Sequence, residues 1–167
     1  MKAEFHLRTI LVPTDCSGES LEALRYAMAL AAEFEARVVV MHVVQLNVGG
    51  EELGVPRTRL LHQMGEAARM QLRQVVELLA PADTSVQIVI AEGQPHEEIL
   101  DQARQRGTEL IIMAAHRYAG LLRWFHPHTV DHILRNAPCP VLLVSSHGRG
   151  FLRDIEPVDQ LQEKNHS

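Results

Sequence analysis

A chain of 167 residues, 46% hydrophobic and 22% charged, has the length and balance of one globular domain with a sizeable core. A net charge of −5, scattered basic residues and 4% aromatics argue against nucleic acid or an anionic membrane as partner, since neither attraction nor stacking is on offer. Two cysteines make no disulfide framework, MKAEFHLRTILVPTD lacks a signal peptide's apolar stretch, and no apolar run reaches membrane-span length, so the expected location is the cytoplasm.

Along the chain, Ile10-Leu11-Val12 is a short apolar run stopped by Pro13 and reads as a buried strand. Asp15-Cys16-Ser17-Gly18 is turn chemistry, and Ser17 is placed to cap the next helix. There Leu21, Leu24, Ala27, Met28 and Ala31 recur at helical spacing and make one apolar face. Val38 to Val44 is a second strand, nearly all apolar as in a parallel sheet covered on both sides. Residues 45–57, rich in glycine, form a linker long enough to cover a site or meet a partner. The spacing then predicts a helix from Thr58 to about Ala80 and a strand from Val86 to Ala91. Pro95 opens a helix that runs through Gln105 and stops at Gly107. Leu110 to Met113 reads as a fourth strand, Val130 to Arg135 as a short helix and Pro140 to Val144 as a fifth strand. The polar stretch 146–167 has no period and is expected to be an extension beyond a domain of residues 1–145.

Strands alternating with helices imply a five-stranded parallel α/β sheet, doubly wound with helices on both faces. Ligands of such sheets bind beyond the carboxyl ends of the strands, which selects the turns after Val12, Val44 and Met113.

Ala137-Pro138-Cys139-Pro140-Val141, with Gly120-Leu121, Arg123 and Leu134-Arg135 before it, resembles the closing third of universal stress proteins. Ile10-Leu11-Val12-Pro13-Thr14-Asp15 resembles that family's opening strand and acidic residue, and His42-Val43 the end of its second strand. Glu92-Gly93, Pro95 and Glu98-Ile99-Leu100 resemble its third connection, so the likeness spans roughly residues 7 to 145. The resemblance implies homodimers formed through the last strand, whose edge is otherwise unpaired. It also implies a role in adaptation to stress with little or no catalysis, and a site that in some members binds ATP.

By the same resemblance the adenosine side would use Pro13, Thr14 and Asp15, with backbone groups of Val43 toward adenine. The phosphate side would use Met113, Ala114, Arg117, His128 and Thr129. The family pattern there is G-x-x-G, nine residues, then G-[ST]. This chain has Ala114, Arg117, Pro127 and His128 at those four positions. Glycines let backbone N–H groups approach phosphate, and proline has none to donate. Standard ATP binding is therefore expected to be lost. Binding of ATP or AMP through an altered loop stays open, because Arg117, Arg123 and the histidines attract anions. Asp15 reads equally well as a turn residue.

His126, His128 and His132 suggest a metal site, His128 and His132 being one helical turn apart, and the competing reading is a polar loop with coincidental histidines. Cys16, just before a helix, suggests a redox-responsive thiol, against which stands a small side chain filling a crowded turn. No nucleophile elbow, Walker loop or dinucleotide fingerprint is present in the sequence, so no catalytic residue is expected.

Overall fold

The computed structural model describes residues 6–46, 55–115, 127–145 and 152. Its elements run β1 (Thr9–Pro13), α1 (Gly18–Phe34), β2 (Arg37–Val44), α2 (Arg57–Leu79), β3 (Val86–Glu92), α3 (Pro95–Gln105), β4 (Leu110–Ala114), α4 (Pro127–Asn136) and β5 (Val141–Val144). All five strands are parallel, in the order β3-β2-β1-β4-β5. The order reverses between β1 and β4, so the crevice that open α/β sheets use for ligands lies at the carboxyl ends of those two strands.

Side chains alternate across each strand and divide the core in two. Ile10, Val12, Val38, Val40, Ile112 and Ala114 pack with α1 and with Leu72 of α2. Leu11, Val39, Met41, Val43, Ile111 and Met113 pack with Ile99 and Ala103 of α3 and Ile133 of α4. Both faces are thus buried, which is why the central strands read as unbroken apolar runs.

Helix boundaries follow local chemistry. The Ser17 side chain accepts the Ser20 N–H at the start of α1, as expected of an N-cap. That helix ends on Glu35 rather than glycine, in the left-handed region at φ 54°. Gly107, at φ 58°, closes the turn after α3. The largest difference from the sequence reading is at α4, which starts at Pro127, three residues before Val130. Proline suits a first helical position, where its fixed φ is already helical and its missing N–H is not needed by the helix. Of residues 45–57, positions 47–54 lie outside the described residues, as does the extension 146–167 apart from Leu152. Among the described residues no helix is long and apolar enough to cross a membrane.

Candidate functional site

The turn after β1 is held by its own side chains. Pro13 ends ladder donation, and the Thr14 N–H resumes it by donating to Met41 O at 2.8 Å. Thr14 Oγ1 accepts the Cys16 N–H at 3.0 Å and lies 2.8 Å from Ser20 Oγ in a buried contact. Asp15 Oδ1 accepts the Ser17 N–H at 3.0 Å and also the Ser17 hydroxyl, the pattern of an Asx turn. Asp15 thus fulfils the turn role expected of it and still leads the loop that borders the crevice.

His42 supplies the other wall. It is a buried polar residue in an otherwise apolar strand, and its Nδ1 lies 2.9 Å from the Thr14 carbonyl. A carbonyl only accepts, so Nδ1 carries the proton and Nε2 is left as the acceptor. Burial lowers the His42 pKa, opposed by the Thr14 bond and the Asp15 charge. The ring is accordingly neutral and ties β2 to the β1–α1 turn.

The surroundings of Cys16 weigh against a reactive thiol. Its thiol is pushed up to about 11, first by burial and then by the Asp15 carboxylate, so proximity to the helix start is overridden. The residue itself sits at φ 62°, and its Sγ is 3.8 Å from His42 Nδ1. In a Cys139→Ser background, Cys16 is expected to react with iodoacetamide at least about 100-fold more slowly than free cysteine at pH 8. The rate should climb about tenfold per pH unit above that, because the thiolate is the nucleophile. Alkylation at the free-thiol rate would contradict this account.

Pro13, Thr14 and Val43, all expected at the site, line one cleft together with Met41, His42, Pro95 and Ile99. Its volume of about 10 Å³ admits one water and not an adenine ring, so a nucleotide would have to open it. Met113 and Ala114 end β4 with their side chains in the core. Thr129 is buried and His128 exposed in the first turn of α4. Arg117 and His126 lie outside the described residues.

A larger cavity of about 460 Å³ lies nearby, beyond β2 and β3, and is lined by Glu92, Glu97 and Glu98 against a single Arg57. Its carboxylates disfavour phosphate. Among the described residues no three His, Cys, Asp or Glu groups converge as metal ligands. His132 turns instead toward His96 of α3, a residue the sequence had shown only as helix.

The family model for universal stress proteins matches residues 6–145. The chain belongs to the universal stress protein family. A universal stress protein of Methanocaldococcus jannaschii, MJ0531, is 31% identical over 144 residues, covering 82% of this chain and 81% of that protein. Universal stress protein UspA from Lactobacillus plantarum superposes with a TM-score of 0.70 at 23% identity, covering 84% of this chain and 99% of that one. A universal stress protein from Archaeoglobus fulgidus, solved in complex with dAMP, superposes with a TM-score of 0.56 at 17% identity, covering 83% and 97%. The five-stranded parallel fold of this universal stress protein is therefore that of the family, and the role of such proteins is in the response to stress.

Proposed function

We propose that this universal stress protein is a non-catalytic, cytoplasmic, homodimeric interaction module for stress adaptation that has lost standard ATP binding. The carrying observation is at the phosphate end of the crevice. Ala114 continues β4 in register with Val144, its methyl in the core, and α4 opens on a proline. A glycine cradle needs free N–H groups at both places, and proline offers none. Titrating the untagged protein with MgATP in a calorimeter tests this. No heat of binding up to about 1 mM is expected, and a micromolar dissociation constant would overturn the proposal.

A second reading is favoured by the adenosine end, where Pro13, Thr14 and Val43 line one cleft, Asp15 holds the turn beside it, and the fold is shared with the dAMP-bound relative. In that version the protein senses AMP or ATP through substitutes for the glycines, namely Arg117, His128 or Thr129. Saturable binding of AMP or ATP that is lost in Arg117→Ala or His128→Ala would select it.

Dimerisation is supported by β5. It pairs only with β4 among the described strands, and Leu143 on it is 37% exposed. Leu143→Lys is expected to convert a dimer into a monomer in light scattering after size exclusion. A Leu143→Lys protein that keeps the mass of a dimer would remove this edge from the account.

A further inference from the structure

Where α3 meets α4, two imidazoles face each other. His96 stands in the first turn of α3 and His132 in the middle of α4, with ring centroids 4.4 Å apart and planes tilted by 51°. Neither lines the cleft beside His42. His132 Nδ1 is closed off from solvent and has no hydrogen-bond partner among the described residues. A buried polar nitrogen left in this way costs about 1–3 kcal/mol, so the arrangement is incomplete without something for it to bind.

The spacing of the two rings suits a shared metal ion. Two imidazoles bonded to one ion at about 2.0–2.1 Å put their centroids about 4.5 Å apart at a right angle, and about 5.2 Å apart at a tetrahedral angle. The observed 4.4 Å matches the right angle, and a tilt of 51° is no face-to-face stack. Right-angled nitrogen ligands suit Ni²⁺ or Cu²⁺ better than tetrahedral zinc. The carboxylate of Asp131, next in the chain, is engaged by Arg135 at 2.9 Å.

We infer that His96 and His132 form a two-histidine binding site for a divalent transition-metal ion, with water in the remaining positions. The site differs from the His126, His128 and His132 set suggested by sequence, since its second ligand comes from another helix. It clamps α3, whose Pro95 borders the cleft, to α4, which carries Thr129, and so links metal to the same end of the sheet without requiring any nucleotide.

The test uses the full-length, untagged chain titrated with NiCl₂ in a calorimeter. One equivalent should bind in the micromolar range, and His96→Gln and His132→Gln should each weaken binding at least about 10-fold. His62→Gln, an exposed residue of α2, should leave it unchanged. Loss in both His96→Gln and His132→Gln carries the inference whatever His128→Gln does. Binding that persists in His96→Gln, or no binding by the parent chain at about 1 mM Ni²⁺, overturns it. Should either variant not fold, electron paramagnetic resonance of the Cu²⁺-loaded parent chain decides: hyperfine splitting from two imidazole nitrogens is expected, and splitting from none contradicts the site.

Discussion

A chain carrying Ala114→Gly, Arg117→Gly, Pro127→Gly and His128→Ser is expected to melt about 5–10 °C higher in saturating MgATP, where the parent chain shifts by less than about 1 °C. The magnitude follows from linkage: ligand at a hundredfold its dissociation constant adds about 2.7 kcal/mol, and each kcal/mol moves the melting point of a chain this long by about 2–4 °C. Pro127→Gly restores a backbone donor at the first position of α4, and His128→Ser supplies a hydroxyl beside it. The glycines at 114 and 117 permit the close backbone approach that phosphate needs. Ala114→Gly takes a buried methyl out of the core, so the unliganded variant should be the less stable of the two. If the restored loop gains nothing from ATP, the missing glycines are not what separates this chain from ATP-binding relatives.

Thr14→Val carries the second large effect. The substitution keeps the shape of a side chain that lines the cleft and removes the hydroxyl that accepts the Cys16 N–H and meets Ser20 Oγ. The Cys16 N–H is left unpaired while Ser20 Oγ keeps its bond to the Ser17 carbonyl, so a loss of about 1–3 kcal/mol is expected by urea unfolding. Thr14→Ser keeps the hydroxyl and should recover most of it. A Thr14→Val protein within about 0.5 kcal/mol of the parent would show that the turn is not held by this bond.

Much of the fold was legible because both faces of the sheet are buried. The run Val38–Val44, apolar but for His42, has no polar side to conceal it, and Ser17, Pro95 and Gly107 mark their helix ends by chemistry that acts locally. The start of α4 was less so. His128 and Thr129 are neutral toward helix, and only Pro127, in a role it shares with turns, pointed to where the helix begins.

The site was legible in part. Pro13, Thr14 and Val43 do share one cleft, since β1 and β2 are neighbouring parallel strands whose carboxyl ends lie side by side. His42 carried a signal, a lone imidazole within an apolar strand, but its bond to the Thr14 carbonyl depends on the parallel register of β1 and β2. The rise in the Cys16 pKa was hidden for the same reason. Helix position favours the thiolate, while burial against neighbours distant in sequence disfavours it by more. His96 could not be matched to His132 from spacing at all, because the contact joins two helices with β4 between them in the chain.

The most direct test is thermal melting of the untagged wild-type protein with ATP, ADP, AMP, adenosine or no ligand, each with and without magnesium. The account predicts a melting point unmoved by ATP in a well-folded dimer. A rise of several degrees with ATP would contradict it, and would mean that the loop binds phosphate without its glycines.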